Sequence, residues 1–355
     1  MKALLVNDAS LAGHHGSALV TEQIKLFSAE AGIETLSGWD WGSVLKACQE
    51  ELPAIDLVIV NGEGSIHHNS KSARRIAALA LQLREKRIPA YLVNATIEAC
   101  DPDVLNGLGA FRARFVRDSL SCDVLEMAGI SSTVVPDLVL SASLPASRLA
   151  TSGPLMLTDS SEEGKTARLV GLAHRWREAN IVTLRCPPPW PARGSCFRKV
   201  TFELKRAAAK PASLTPWSLR YAGAFRTIEE LLNALANSRG LVAARYHGLC
   251  LALLMRLPFI AIEGNTGKAG ALLRDIGLDR RCVHLDELTA CQEPLEPPML
   301  DDRESKAIDV FLSRTRLAAR EMFNWIADDA NAVLWSDGEH RRDRTRLHIA
   351  ASLFI

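Results

Sequence analysis

Short apolar runs alternate along this chain with longer stretches in which apolar residues recur every three or four positions. The runs at 3–6, 57–60, 90–93, 113–116 and 133–135 are too short for helices and rich in Val, Ile and Leu, as strands covered on both faces are. The stretches at 17–31 and 72–86 carry the helical period. Strand and helix in turn predict a parallel sheet with helices on both faces. Ser143-Leu144-Pro145-Ala146-Ser147 breaks the pattern as a linker does, and the pattern then restarts. It predicts strands at 155–157, 181–184, 241–244 and 259–262, with helices at 164–179, 227–238, 249–256 and 269–276. A long amphipathic helix over 302–333 then packs back across both halves. The expected fold is α/β: two Rossmann-like domains, 1–148 and 149–335, facing a central cleft, followed by a basic and then apolar tail at 336–355. Between 186 and 225 the periodicity is lost around Pro187-Pro188-Pro189, an irregular segment of a length that is often functional.

Composition narrows the function. A chain of 355 residues suits two domains, and 48% hydrophobic with 23% charged residues excludes a disordered chain. Lys+Arg number 42 against 41 Asp+Glu, so no global field marks a nucleic-acid partner, and an anionic ligand must be held by local Arg, Lys and His. The eight cysteines form no Cys-x-x-Cys pair, and some lie in apolar runs such as Leu249-Cys250-Leu251, so they read as reduced, mostly buried thiols. The opening Met1-Lys2-Ala3-Leu4-Leu5-Val6-Asn7-Asp8 is too short for a signal-peptide core and no apolar run approaches a membrane span, which predicts a cytoplasmic protein.

The candidate chemistry gathers where apolar strands end. Arg245-Tyr246-His247-Gly248 stands between a strand and an apolar helix, where open α/β sheets bind ligands. His247 can exchange a proton near neutral pH, and Arg245 can clamp a carboxylate or phosphate; a helix cap is the alternative reading. Glu263-Gly264-Asn265-Thr266-Gly267-Lys268 again follows a strand and opens a helix, without the spacing of a phosphate-binding Walker loop. Asn61-Gly62-Glu63-Gly64-Ser65-Ile66-His67-His68 follows the strand at 57–60, and His14-His15-Gly16-Ser17 follows the first strand. Adjacent histidines rarely ligate one ion together, so no metal site is expected. Arg117-Asp118-Ser119 and Pro136-Asp137 close two further strands, where a surface pair is the plain reading.

Taken in order, the stretches at 61–68, 116–119, 135–137 and 245–248, with the Lys268 turn, resemble the polysaccharide pyruvyl transferase family over residues 1 to 290. The resemblance implies a GT-B-like fold and transfer of pyruvate from phosphoenolpyruvate onto sugar hydroxyls as a ketal. It implies His247 as general acid, with Arg117, Arg245 and Lys268 holding the donor. Glu63, His14, His15 and His67 then fall on the acceptor side, with Glu63 available for base work. Gly13-His14-His15-Gly16 departs from the Asn-x-Gly-Asp of many members, and no donor-binding cation aligns within 186–225.

A second reading keeps the scaffold as a glycosyltransferase using a nucleotide-activated sugar, for example CMP-Kdo. Glu263 would then grip the donor's ribose, with Asn265 also on the donor side, and the Thr158-Asp159-Ser160-Ser161 turn would serve the nucleotide or the chemistry. A third reading is a non-catalytic binding protein, against which His247, Arg245 and Lys268 speak. The partners expected are phosphoenolpyruvate or a nucleotide sugar and a saccharide or lipid-linked saccharide. No cofactor and no nucleic acid are expected. The tail from Arg341 reads as a short helix on the body, or else as a peripheral contact with an anionic membrane.

Overall fold

The computed structural model describes residues 1–9, 13–39, 41–49, 52–64, 66–144, 152–177, 179–185, 221–264 and 266–351. The chain divides into two compact units. The first holds Met1–Asp8, Thr21–Leu138 and the residues from Thr315 onward; the second holds Ala9–Val20 and Val139–Arg314. This differs from the contiguous division expected at 148. A short segment after the first strand belongs to the second unit, and the last helix from Thr315 onward belongs to the first. Apolar faces and unpaired backbone groups are satisfied where they fit, whatever their order in the chain.

In the first unit, β1 (Lys2–Val6), β2 (Glu34–Trp39), β3 (Leu57–Asn61), β5 (Ala90–Ala95), β7 (Ala113–Val116) and β8 (Thr133–Val134) form a parallel sheet in the order β2-β1-β3-β5-β7-β8. A separate parallel pair joins β4 (Ile66–His67) to β6 (Ile97–Glu98). The helices are α1 (His15–Glu30), which belongs to this unit from Thr21, α2 (Trp41–Gln49), α3 (Lys71–Glu85), α4 (Pro102–Leu108) and α5 (Ser119–Met127). Every residue of β3 and β5 is buried, which is why these strands read as unbroken apolar runs. Each buried Val or Leu contributes about 1.5–3 kcal/mol. Ser70 caps α3 by accepting from the Ala73 N–H at 3.1 Å, and Asp118 caps α5 by accepting from the Ser121 N–H at 2.8 Å.

The second unit holds β9 (Leu155–Thr158), α6 (Glu163–Arg175), β10 (Ala179–Thr183), β11 (Tyr221–Ala224), α7 (Ile228–Ala236), β12 (Gly240–Ala243), α8 (Tyr246–Met255), β13 (Phe259–Ile262), α9 (Lys268–Ile276), β14 (Cys282–Val283) and α10 (Leu285–Ala290). Its parallel sheet runs β11-β10-β9-β12-β13-β14, the doubly wound order in which the winding reverses between β9 and β12. Helix α8 is buried from Tyr246 to Leu253, as its all-round apolar sequence requires.

The last helix, α11 (Asp302–Ala351), is one element rather than a helix to 333 and a separate short one. Its first turns pair with the second unit, where Arg281 meets Glu304 at 2.6 Å and Arg256 meets Asp309. From Thr315 it packs on the first unit. Phe323 stacks on Phe27 with ring centroids 6.2 Å apart, and Asp329 accepts from Tyr91 Oη and from both Nε and Nη2 of Arg112, each at 2.6 Å. Among the described residues no helix is long and apolar enough to cross a membrane. The described cysteines are free thiols. Residues 186–220 of the expected irregular segment, and the side chains of the expected tail, lie outside the described residues.

Candidate active site

The winding of the second sheet reverses between β9 and β12, and the chain after each of these strands carries polar groups into the crevice. Thr158 Oγ1 accepts from the backbone N–H groups of Ala244 at 2.8 Å and Arg245 at 3.0 Å. Asp159, nearly buried, takes Arg245 in a fork, Nε to Oδ1 at 2.5 Å and Nη2 to Oδ2 at 2.7 Å. Nη2 also donates to the Ser160 carbonyl at 3.0 Å, and Thr183 Oγ1, on β10, donates to Asp159 Oδ2 at 3.0 Å. Arg245 is therefore fixed by two strand ends, with Nη1 outside the clasp. Gly248 follows because α8 crosses close to β9: a Cβ there would lie 2.9 Å from Thr158 Cγ2. His247 sits in the first turn of α8, 7% exposed.

The segment before α1 closes on this group. His14 forms an antiparallel bridge with Arg185, the His15 N–H donates to the Leu184 carbonyl at 2.9 Å, and His15 Nε2 donates to the Phe225 carbonyl at 3.0 Å. The His14 ring lies against that of His247, with centroids 5.4 Å apart and planes tilted by 56°. Burial, then the charges of His247 and Arg245, lower the His14 pKa to about 2, so its ring is neutral. Burial also lowers the pKa of His15, against the pull of the Phe225 carbonyl. His14 and His15 were expected on the acceptor side with Glu63. They belong instead to the second unit and to the histidine expected as general acid, because the backbone after β1 finds its hydrogen-bond partners just past the end of β10.

The remaining candidates fall in different places. Lys268 opens α9 with Nζ 5.5 Å from the centre of the Tyr246 ring, whose centroid is in turn 5.7 Å from that of His247. Glu263 uses its carboxylate on backbone: Oε1 accepts from the Gly264 N–H at 3.1 Å and Oε2 from the Gly270 N–H at 2.9 Å, capping α9. It thus shapes the turn rather than presenting an open acid to a donor. Asn265 lies outside the described residues.

Arg117 is in the first unit and is only 2% exposed. It donates to Asp137 Oδ2 at 2.6 Å and to Thr96 Oγ1 at 2.5 Å, in a network that continues through Asp118 and Ser121. These bonds make Arg117 a clasp between β7 and the turn at Asp137, not an open donor-binding cation. In the first sheet the winding reverses between β1 and β3. There the side chains of Asn7 and Asn61 donate to each other's backbone carbonyls at 2.9 and 3.3 Å. Half-buried Glu63 follows β3, and its N–H donates to Asn61 Oδ1 at 3.1 Å. His67 lies on β4 opposite Glu98, with its Nδ1 3.3 Å from that of His68. Left-handed backbone occurs at Asn7, His68, Asn69 and Ala99, just past the ends of β1, β4 and β6, and at Asn94 within β5. Among the described residues no three His, Cys, Asp or Glu are grouped to hold a metal ion.

Comparison with known proteins matches residues 23–266 to the model of the polysaccharide pyruvyl transferase family. The chain belongs to that family. This pyruvyl transferase relative is accordingly a transferase, and the matched stretch contains Glu63, Arg117, Asp159, Arg245 and His247, while His14 and Lys268 fall just outside it. No curated protein matches the chain by sequence. Among solved structures it is similar to Methanocaldococcus jannaschii UDP-GlcNAc 2-epimerase in complex with UDP-GlcNAc and UDP, with a TM-score of 0.51 and 11% identity over 88% of this chain and 100% of that one. It is also similar to S. aureus MnaA with UDP, with a TM-score of 0.48 and 10% identity over 90% of each chain. The first likeness gives the family member its fold class, two Rossmann-like units of the GT-B kind.

Two groups were not legible in the sequence in their observed roles. Thr158 and Asp159 read as a turn for a nucleotide or for the chemistry, and they hold Arg245; their signal was the same polar-after-strand placement that marked Arg245. Arg185 carried no motif at all. It joins the site through the bridge to His14, a pairing between residues far apart in the chain.

Proposed function

We propose that this transferase moves the pyruvyl group of phosphoenolpyruvate onto two hydroxyls of a saccharide, releasing inorganic phosphate. The observation that carries the reading is the group at the reversal point of the second sheet: His247 in the first turn of α8, neutral His14 against it, and Arg245 clasped by Asp159. In the reaction a proton reaches the methylene carbon and one sugar oxygen bonds to the adjacent carbon. The bond from that carbon to the phosphate oxygen then breaks, and the second sugar oxygen closes the ketal. Of the two hydroxyl protons, one balances the proton gained by the methyl group and the other leaves on phosphate. His247 supplies the methyl proton, and the helix N-terminus beside it favours an anionic donor. Arg245 meets the donor's carboxylate or phosphate with the edge that Asp159 leaves, and Lys268 offsets the charge on the departing phosphate.

The test incubates the enzyme with phosphoenolpyruvate and a panel of hexosides, reading phosphate release and the mass of the ketal. Thermal shifts with phosphoenolpyruvate, CMP and UDP run alongside, because a ligand of the folded state raises the midpoint. The expected result is stabilisation by phosphoenolpyruvate and ketal formation. His247→Gln should lower turnover by about 100-fold or more while keeping that stabilisation. Stabilisation by a nucleotide with none by phosphoenolpyruvate would sink the reading in favour of glycosyl transfer.

A further inference from the structure

We infer that His14 is a positioning residue for His247: its ring and the backbone of Gly16 form a fixed wall that sets the orientation of the His247 imidazole. The inference rests on the reading of His247 as the proton donor. It concerns a segment that lies before the residues matched by the family.

The wall is built on the second sheet. The bridge from His14 to Arg185, and the His15 bonds to Leu184 and Phe225, tie the segment down within two residues. His14 then acts as the N-cap of α1. The Ser17 N–H donates to His14 Nδ1 at 3.4 Å, with Ser17 Oγ 3.5 Å from the same nitrogen. An amide N–H only donates, so Nδ1 is the acceptor and the ring proton is on Nε2. The neutral ring thus has its tautomer and its plane set by the helix it starts.

Gly16 supplies the second part of the wall. A Cβ at this position would lie 2.3 Å from His247 Cγ, 2.4 Å from its Cβ and 2.6 Å from its Nδ1. The backbone at Gly16 therefore lies directly against the imidazole, and His14 adds its ring at 5.4 Å between centroids. Neutrality matters at this place, because a second cation beside Arg245 would repel a protonated His247. Orientation matters because a general acid works only within hydrogen-bond reach of the carbon or oxygen it serves, and a misplacement of about 1 Å can cost about 100-fold in rate.

Three variants separate the ring from the cap. His14→Ala removes both, His14→Asn keeps a cap acceptor, and His14→Phe keeps an aromatic ring against His247. The expected result with phosphoenolpyruvate and a productive hexoside is a kcat lowered by about 10–100-fold in His14→Ala and His14→Asn, with KM for phosphoenolpyruvate unchanged and most of the rate recovered in His14→Phe. A second readout needs no turnover. In protein labelled with 15N-histidine, the His247 imidazole cross-peaks, identified by their loss in His247→Gln, move in His14→Ala and stay in place in the exposed-site control His174→Gln. A wild-type kcat in His14→Ala, a rate restored by His14→Asn and not by His14→Phe, or His247 cross-peaks indifferent to His14→Ala each overturn the inference. If the wild-type enzyme does not use phosphoenolpyruvate, the donor reading fails, and the cross-peaks still decide whether His14 orients His247.

Discussion

His14 and His15 are adjacent histidines held neutral by burial, and this makes the folded state a poor proton acceptor. The ordinary value of 6.5 falls to about 2 for His14, so between these limits the unfolded chain binds a proton that the folded chain does not. The stability from the neutral ring is fully present above the ordinary value and is lost as pH falls below it. His15 shifts the same way. We expect urea denaturation to show stability falling on acidification from about pH 7 to about pH 5, on the order of 1 kcal/mol per pH unit from His14, with His15 adding to the fall. His14→Asn should flatten that slope; an unchanged slope would contradict the neutral ring. Both histidines, with His247, Arg245 and Lys268, were visible in the sequence as polar residues at strand ends. Their grouping was not, since nothing local says that the segment after β1 bonds to the residues past β10. Arg117 and Glu263 show the converse. Each looked available for an anion or a ribose, and each turns out to be satisfied by Asp137 and Thr96, or by the N–H groups of α9's turn.

The elements with strong periodicity were legible as elements: β1, β3, β5, β7, β9, β10, β12 and β13 all occur where apolar runs predicted them. The edge strands β2, β11 and β14 were missed. Glu34-Thr35-Leu36-Ser37-Gly38-Trp39 and Tyr221-Ala222-Gly223-Ala224 lack an apolar run, and β14 has only two residues. An edge strand has one neighbour, so its sequence is held less tightly to the strand pattern. Helix α8 begins at Tyr246 rather than 249, which moves His247 from a loop into a first turn. For α11, the decisive contact is the carboxylate of Asp329, shared by Tyr91 and Arg112. Burial and this bond raise the pKa of Tyr91, and the Arg112 guanidinium leads in lowering that of Asp329. Asp329→Ala should cost about 1–3 kcal/mol in denaturant unfolding by stranding the buried Tyr91 hydroxyl, since the half-exposed Arg112 can turn to water, whereas Tyr91→Phe should cost about 1 kcal/mol. Equal stability of Asp329→Ala and wild type would show that stacking alone docks the helix.

At the scale of the whole molecule, both halves repeat one plan: a six-stranded parallel sheet with a pair of polar strand ends where the winding reverses. The units nevertheless exchange chain, since the first includes the residues from Thr315 and the second includes Ala9–Val20. A fragment of residues 1–148, cut at the linker the sequence suggests, lacks Phe323, Ile326 and Ala330, all of them fully buried. We expect it to show no cooperative thermal transition and to bind a hydrophobic dye; cooperative unfolding would argue that the C-terminal helix is dispensable to that unit. The alternation of strand and helix, the doubling of the plan and the polar residues at strand ends are all legible along the chain. These follow from side-chain periodicity, which each segment carries within itself. Strand order, the capture of His14 by the second unit and the commitment of Arg117, Glu263 and Asp159 to internal partners were decided only by the tertiary structure. The reason is that backbone pairing and ion-pair formation join residues far apart in the chain, and such choices depend on which unsatisfied groups meet in space.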